Sequence, residues 1–310
     1  MPVALHVALR GGMLAAAGNP AVAGWVRRHG ALVGARRFVG GETIDECVRV
    51  LRRLRNEGFR TTTTLLGEAV TSEQTAREVA LEYAAVLRRL ADEGTGTTVA
   101  LKLTHLGLDV SEALANATVS YLVQYAAALG NFVRIDMEQS SKVDPTLRLY
   151  GRLRSEGLTN AGIVLQACLR RSDADLRSLL PLRPNVRLVK GAYLEPPETA
   201  FPRKRDVDRN FVRLIDLALS GGAYTAVATH DERIIERTLE IVRARGIGPD
   251  RFEFQMLFGV RPRLQRDLVG RGHRVRIAVP YGPDWYAYFT RRLAERPANV
   301  LFLCRALLRR

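Results

Sequence analysis

Short apolar runs alternate with longer amphipathic segments along the chain from residue 42 onward. The short runs have the length of buried strands, and the longer segments carry apolar residues at the spacing of one helix face. We predict eight strands, over residues 60–66, 98–103, 131–137, 162–167, 186–190, 223–229, 252–256 and 275–279. Nine helices are predicted around them, over residues 42–57, 73–91, 111–129, 145–156, 173–180, 204–219, 232–245, 261–269 and 284–296.

Residues typical of helix ends support these predicted strands and helices. Ser111, Ser172 and Asp284 stand where helix N-caps are expected. Glycines that can close helices follow five of the predicted helices: Gly58, Gly130, Gly157, Gly246 and Gly272.

The repeated strand and helix unit indicates an α/β fold with a parallel sheet. Eight units close naturally into a (βα)8 barrel of the TIM type, with functional residues at the C-terminal ends of the strands. We therefore expect the polar residues at the predicted strand ends, Arg134 and Glu253 among them, to line the mouth of the barrel. A doubly wound open sheet shows the same alternation, so the helix count leaves it as an alternative. We assign residues 42–310 to the barrel and residues 1–41 to an N-terminal helical extension, which is expected to pack on the domain and not to span a bilayer.

The formal net charge of +15 raises the question of a nucleic-acid partner. Arginine supplies nearly all of the positive charge and is scattered through helical segments, a pattern typical of solvated helix faces. We therefore expect no nucleic-acid binding. The three cysteines, Cys47, Cys168 and Cys304, are widely spaced, which favours a reducing compartment and a cytoplasmic protein.

Two of the four lysines lie in predicted apolar strands, although arginine is the default cation of this chain. A lysine inside a strand needs an anion nearby or a shifted pKa. Lys102 and Lys190 therefore indicate bound anionic groups or a buried partner such as Asp136, and an internal ion pair between strands is the alternative.

The last predicted helix places Tyr288, Arg292 and Glu295 on one face, with Arg291 beside them. Two adjacent guanidinium groups beside an aromatic ring suit a substrate carboxylate, because arginine offers planar paired donors. A solvated helix face with a salt bridge is the alternative interpretation.

The sequence motifs of several common classes of enzymes and nucleotide-binding proteins are absent. The chain has no GxGxxG, no GxxxxGK[ST], no HExxH and no GxSxG, and its five histidines show no metal-ligand spacing. We therefore predict no metal site.

Several segments together resemble the proline dehydrogenase (proline oxidase) family, in its monofunctional bacterial type. They are RLVKGAY at 187–193, THD at 229–231, EFQML at 253–257, and Tyr288 followed by Arg291, Arg292 and Glu295. Supporting segments are FVGGETID at 38–45, LGE at 66–68 and RID at 134–136. The resemblance runs from about residue 38 to the end, and the order of several motifs is more specific than any one of them.

The resemblance implies a distorted (βα)8 barrel that binds FAD noncovalently. It implies catalytic roles for Asp136, which is similar to the family acid near Lys102, and for Arg187, which is similar to the arginine beside flavin N5. The implied cofactor contacts are Met137, Gln166, Arg187, Val189, Lys190, Gly191, Ala192, Thr229, His230, Gln255 and Glu295.

The implied substrate is L-proline, oxidised to 1-pyrroline-5-carboxylate in proline catabolism. Lys102, Arg291 and Arg292 would hold its carboxylate, Leu257 and Tyr288 would wall its ring, and Glu68 would close the site on Arg291. A quinone would accept the electrons, so peripheral contact with the inner face of the membrane is also expected.

The chain departs from the family pattern at three positions. Ala278 stands where a tyrosine is common, Thr64 replaces a usual aspartate, and Cys168 stands where tyrosine is frequent. A dehydrogenase for hydroxyproline or another modified cyclic imino acid, with a biosynthetic role, is therefore the alternative within this class. A noncatalytic barrel that binds an anionic metabolite is the alternative outside it.

Overall fold

A computed structural model describes Gly24, residues 37–67 and residues 69–294, without the side chains of residues 291–294. Its eight strands are β1 (Arg60–Leu65), β2 (Thr98–Leu101), β3 (Val133–Ile135), β4 (Ala161–Gln166), β5 (Asn185–Val189), β6 (Tyr224–Ala228), β7 (Phe252–Leu257) and β8 (Val275–Tyr281). All are parallel to their neighbours, and β8 pairs with β1 to close the barrel. The predicted barrel is confirmed, and the open sheet is wrong.

Nine α-helices are described around the barrel. They are α1 (Ile44–Asn56), α2 (Glu73–Asp92), α3 (Glu112–Ala128), α4 (Val143–Ser155), α5 (Ser172–Leu179), α6 (Lys204–Ser220), α7 (Glu232–Ala244), α8 (Pro262–Gly270) and α9 (Trp285–Ala294). Most of the predicted extension at residues 1–41, and residues 295–310, lie outside the described residues.

The strands are buried because helices cover the outside of the barrel while side chains fill its inside. Every residue of β4 is buried, as expected for a parallel strand covered on both faces. In β1 the buried threonines satisfy their hydroxyls locally. Thr63 donates to the carbonyl oxygen of Val279 at 2.8 Å, and Thr61 shares a hydrogen bond of 2.7 Å with Thr97.

The helices follow the amphipathic pattern of the sequence. In α1 a single stripe, Cys47, Val48, Leu51 and Leu54, is buried against the barrel. Side chains of Thr43, Ser72 and Ser111 cap the first three helices by accepting backbone N–H groups. The predicted cap at Ser111 is confirmed. Ser172 is instead the first residue of α5, and Arg171 occupies the cap position.

The inside of the barrel is polar near the N-terminal ends of the strands. The fully buried Glu253 carboxylate on β7 pairs with Arg276 on β8 at 2.7 Å. Its oxygens also accept from Tyr224 at 2.9 Å and from Gln255 at 2.7 Å, while Arg60 lies 3.7 Å away. Burial raises the pKa of Glu253, but the charge and hydrogen bonds of Arg276 and its neighbours outweigh this, so the pKa stays below its ordinary value.

No helix among residues 37–67 and 69–294 is long and apolar enough to cross a membrane.

The buried Glu253–Arg276 pair gives a prediction about stability. Glu253→Gln leaves buried guanidinium groups without their carboxylate, so we expect the free energy of unfolding to fall by about 3 kcal/mol. Urea denaturation of the purified protein measures it. Glu240→Gln is the control, because the Arg237–Glu240 pair is exposed at both ends and should contribute less than about 1 kcal/mol. Equal losses in the two variants would contradict the structural role of Glu253.

Candidate active site

Most of the predicted site residues lie at one rim of the barrel, because all eight strands run in the same direction. Lys102 follows β2, and Asp136 and Met137 follow β3. The remaining rim positions are Gln166 at the end of β4, Val189 with Lys190, Gly191 and Ala192 at the end of β5, Thr229 and His230 after β6, and Leu257 at the end of β7.

An ion pair between Arg187 and Asp136 joins the middle of the barrel to this rim. Arg187 is the third residue of β5, and one of its terminal nitrogens donates to a carboxylate oxygen of Asp136. Asp136 is fixed by its own backbone N–H, which donates to the carbonyl oxygen of Leu101 at 2.8 Å. Both side chains are mostly buried, at 13% and 20% exposure. The two residues predicted as catalytic are thus in direct contact.

Lys190 is engaged by two aspartates from neighbouring elements. Its ammonium group lies 2.5 Å from Asp208 on α6 and 3.1 Å from Asp231 after β6. Lys204 also pairs with Asp208. Burial raises the pKa of both aspartates, but the hydrogen bonds and charges of the lysines lower it by more, leaving each pKa below its ordinary value. Lys190 is therefore ion-paired, but with residues of a helix and a loop and not with another strand, as the sequence alternative had it.

Glu138 anchors the ends of three strands. Its carboxylate accepts the backbone N–H of Thr104 at 3.0 Å and the Thr104 hydroxyl at 2.5 Å, while its carbonyl oxygen accepts from Gln166 at 2.8 Å. Burial raises the pKa of this carboxyl, Thr104 and the charge of Lys102 oppose the rise, and Asp136 adds to it. Glu138 was not among the predicted site residues. Its position two residues after Asp136 could have indicated that it also lies at the site.

Gly191 occupies a position that a larger residue cannot share. Its φ is +108°, and a Cβ atom there would lie 2.2 Å from the sulfur of Cys168. The amide of Cys168 donates to the carbonyl oxygen of Lys190 at 2.8 Å, which holds the two segments together. The glycine therefore keeps the chain after β5 in close contact with the chain after β4.

The side chain of His230 is fixed by the next strand. Its Nε2 accepts the backbone N–H of Leu257 at 2.9 Å, which places the ring proton on Nδ1 in the neutral form. Arg261, which has a positive φ of 54°, donates to the carbonyl oxygen of His230 at 2.9 Å. Thr229 accepts the backbone N–H of Asp231 at 3.1 Å. These hydrogen bonds hold the loop after β6 against the end of β7.

Helix α9 carries the predicted Tyr288. The helix is fastened by Trp285, which donates to Glu42 at 2.8 Å, and by the packing of Phe289 on Phe38. Tyr288 is half-buried and packs against this aromatic cluster. Arg291 and Arg292 belong to α9, but their side chains lie outside the described residues, as do Glu68 and Glu295 altogether.

Two residues grouped with the strand ends in the sequence lie at the opposite end of the barrel. Glu253 is the second residue of β7, and Arg134 is the second residue of β3. Both line a cavity that extends from the N-terminal ends of the strands to Arg187 and Gln255 in the middle of β5 and β7. An inward-facing residue early in a strand points to the barrel floor, so the expectation that they line the mouth was wrong.

Ala278 lies next to Leu257 in the sheet, since the two are register partners on β8 and β7. Thr64 is likewise the register partner of Pro280. The small side chain at 278 is therefore a neighbour of Leu257, which is the predicted wall of the substrate ring.

Among the described ranges, no group of three or more histidine, cysteine, aspartate or glutamate side chains is arranged to hold a metal ion.

Comparison with known proteins gives consistent similarities. A family model described as Proline dehydrogenase matches residues 47–305. The chain is 42% identical over 292 residues to Proline dehydrogenase 1 of Bacillus subtilis (strain 168), covering 94% of this chain and 96% of that protein. It is 43% identical over 279 residues to Proline dehydrogenase of Deinococcus radiodurans, covering 89% of this chain and 90% of the relative.

A solved structure shows the same fold. The chain matches proline utilization A (PutA) from Bdellovibrio bacteriovorus inactivated by N-propargylglycine, with a TM-score of 0.80 and 26% identity. The match covers 86% of this chain and 33% of that one, so this chain spans about a third of the length of that protein.

The close contact at Gly191 gives a prediction. Gly191→Ala combines a strained φ with a clash against Cys168, so we expect the free energy of unfolding to fall by about 2–3 kcal/mol. Gly222→Ala is the matched control, because Gly222 also has a positive φ, +76°, but has open space around it, and should lose only about 1 kcal/mol. Adding Cys168→Ala to the Gly191 variant should recover part of the loss. Indistinguishable losses at 191 and 222 would contradict the contact.

Proposed function

This chain belongs to the proline dehydrogenase family, and on that premise we propose that it oxidises L-proline to 1-pyrroline-5-carboxylate with bound FAD as the hydride acceptor. The hydride leaves the ring carbon next to nitrogen. We also propose that residues 42–310 form the catalytic domain and residues 1–41 a helical extension.

The observation that carries the proposal is the arrangement of charges at the C-terminal rim. Arg187 and Asp136 are paired there, and both Lys102 and Asp136 act on the carboxyl group of Glu138. Cations and carboxylates from β2, β3 and β5 thus meet at the barrel mouth, where enzymes of this fold bind their substrates. The family assignment favours an enzyme over a noncatalytic anion-binding barrel.

The rim residues fit FAD in their chemistry. Gln166, Thr229 and His230 supply amide, hydroxyl and imidazole groups, and Gly191 lets the backbone come close to a neighbouring group. Lys190 is 29% exposed, so its ammonium group is accessible to phosphate oxygens in exchange for Asp208 or Asp231. Met137, Val189, Ala192, Gln255 and Glu295 complete the proposed contacts. Bound FAD supplies an isoalloxazine ring that accepts the hydride.

Arg187 and Asp136 act through charge. The Arg187 guanidinium is held inside the barrel by the Asp136 carboxylate, so its position needs little reorganisation when negative charge develops nearby. Asp136 also keeps this guanidinium from being an unpaired buried cation, which would be costly.

Substrate binding is assigned to the cations of the rim and of α9. Lys102, Arg291 and Arg292 hold the carboxylate, while Leu257 and Tyr288 confine the ring. Glu68 pairs with Arg291 to close the site. This clamp positions the substrate, and no strong base is required if the amine enters in its neutral form.

The physiological setting follows from the same family assignment. We propose a cytoplasmic enzyme of proline catabolism that passes its electrons to a quinone. The charge of +15 favours peripheral contact with an anionic membrane surface, which is where a quinone is found.

The second candidate function is oxidation of hydroxyproline or another modified cyclic imino acid, including one in a biosynthetic pathway. The specific observation that favours it is the register of Ala278 with Leu257, which leaves room beside the proposed ring wall.

The cofactor and the role of Arg187 are tested together. Purified protein should be yellow, with a flavin band near about 450 nm that proline bleaches without oxygen. Arg187→Met should slow the bleaching by about 10²–10³-fold, because a fixed cation is lost where charge develops. Arg152→Met, on the exposed face of α4, removes the same charge elsewhere and should leave the rate unchanged. A colourless protein would refute the FAD assignment, and equal rates in both variants would refute the role of Arg187.

Substrate choice is tested at position 278. We expect the wild-type ratio of kcat/KM for 4-hydroxyproline over proline to fall by about tenfold or more in Ala278→Tyr, because the ring would fill the space beside Leu257. Steady-state kinetics on both substrates gives the ratio within one variant, so a general loss of activity cancels. A strong wild-type preference for proline, unchanged in Ala278→Tyr, would refute the hydroxyproline alternative.

A further inference from the structure

The loop after β5, at residues 190–203, carries three of the proposed FAD contacts. Both of its ends are bonded to the segment that follows β4. At the start, the amide of Cys168 donates to the carbonyl oxygen of Lys190 at 2.8 Å. Near the end, the amide of Phe201 donates to the carbonyl oxygen of Cys168 at 2.8 Å. The two ends of the loop are therefore fixed to one neighbouring segment.

The middle of this loop is largely exposed. Leu194 is 87% exposed, and Pro196 and Pro197 are exposed as well. Glu195 lies between them but is half-buried, because its carboxylate is bonded to the segment after β3. One carboxylate oxygen accepts the backbone N–H of Ser140 at 2.7 Å, and the other accepts the hydroxyl of Ser140 at 2.5 Å. Glu195 thus bonds the middle of the loop to a second neighbour.

Ser140 offers its two donors at the start of a helical segment. It is the first residue of the 3₁₀ helix Ser140–Lys142, which leads into α4, and the first N–H groups of a helix have no partner within it. The preceding residue, Gln139, makes no side-chain capping bond. The carboxylate of Glu195 takes that place, and its negative charge strengthens both hydrogen bonds.

Two links now join the ends of β3 and β5, which are not neighbours in the sheet because β4 lies between them. Inside the barrel the link is the ion pair of Arg187 and Asp136, and at the rim it is the contact of Glu195 with Ser140. The proposed flavin contacts of these two segments lie between the two links along the chain: Met137 after β3, and Val189, Lys190, Gly191 and Ala192 at the end of β5. Each of these segments is therefore held on both sides.

The Glu195 carboxylate also lies near the end of β4. Burial raises the pKa of Cys168 to about 11, and the charge of Glu195 acts in the same direction. Cys168 is the residue whose sulfur a Cβ atom at position 191 would meet. Glu195 is thus part of the contact region around Gly191.

On the premise that the chain binds FAD, as proposed above, we propose that Glu195 is a positioning residue for the cofactor. Its bond to Ser140 holds the loop after β5 and the segment after β3 together as one preformed wall of the FAD site. A loop that is ordered before binding loses little conformational entropy when the cofactor binds, so the complex is tighter and dissociates more slowly.

The rate of FAD release from the holo-protein measures this role. The protein is diluted into buffer without FAD, and the free FAD is collected by ultrafiltration at successive times. Glu195→Ala should release FAD about tenfold to 100-fold faster than the wild type, because two charge-assisted hydrogen bonds are lost. Glu198→Ala is the matched control, since it removes an exposed carboxylate from the same loop and should leave the rate unchanged. Equal release from Glu195→Ala and the wild type would overturn the proposal.

Two milder variants test the pairing itself. Glu195→Gln keeps an acceptor for one donor of Ser140, so its release rate should lie between those of the wild type and Glu195→Ala. Ser140→Ala removes only the hydroxyl and should accelerate release by about threefold to tenfold. In the Glu195→Ala background the same change should add nothing, because its partner is already absent. Fully additive effects would show that the two side chains act separately and would overturn the proposal.

Thermal unfolding of the same variants separates positioning of the cofactor from capping of α4. A lower unfolding midpoint in Glu195→Ala with an unchanged rate of FAD release would assign Glu195 to the helix alone and overturn the proposal. A wild-type protein that binds no FAD would refute the proposed cofactor, and this role with it. A wild-type protein that binds FAD and releases it as fast as Glu195→Ala does would refute the role of Glu195 alone.

Discussion

A cation buried inside a closed barrel needs a negative charge close to it. This requirement is met by one ion pair at each end of the barrel. At the rim the carboxylate of Asp136 meets Arg187, and at the floor Glu253 meets Arg276. Neither pair forms within one element, because each joins side chains from two different strands. Glu253 and Arg276 come from neighbouring strands, and Asp136 and Arg187 from the end of β3 and from β5, so the strand order of the sheet brings each pair together. Closure of the sheet between β8 and β1 adds Arg60, which lies 3.7 Å from Glu253.

The fold could be predicted because its signals are local. The stripe of Cys47, Val48, Leu51 and Leu54 has helical spacing, and the uninterrupted apolar run of β4 has the length of one buried strand. Boundaries were less certain, as the cap of α5 shows. Three short 3₁₀ helices, at Thr104–Leu106, Ser140–Lys142 and Leu180–Leu182, were not predicted, since three residues carry no periodic pattern.

The position of most candidate site residues at one rim could be predicted, but their pairings could not. The motif at 187–193 indicated Arg187, Lys190 and Gly191, yet the two aspartates on Lys190 come from α6 and from the loop after β6. The number of residues between Lys190 and these aspartates depends on the lengths of the intervening segments, so the sequence does not indicate that they are in contact. Glu253 was placed at the wrong end for a related reason, because a single residue in a strand does not state its depth in the barrel until the register is known.

The arginines of this chain have two structural roles, depending on whether they lie on the outer helices or inside the barrel. Arginines on the outer helices, such as Arg237 and Arg245, pair with carboxylates in solvent and can be exchanged at little cost. Those inside the barrel are held by fixed oxygens: Arg187 by Asp136, Arg276 by Glu253, and Arg134 by the backbone carbonyls of Ile163 and Asn185. Removal of one of these partners would leave a buried cation uncompensated, which is costly. Arg187 pairs with Asp136 at the rim and also lines the cavity that begins at the floor, so its guanidinium group is affected by charges at both ends of the barrel.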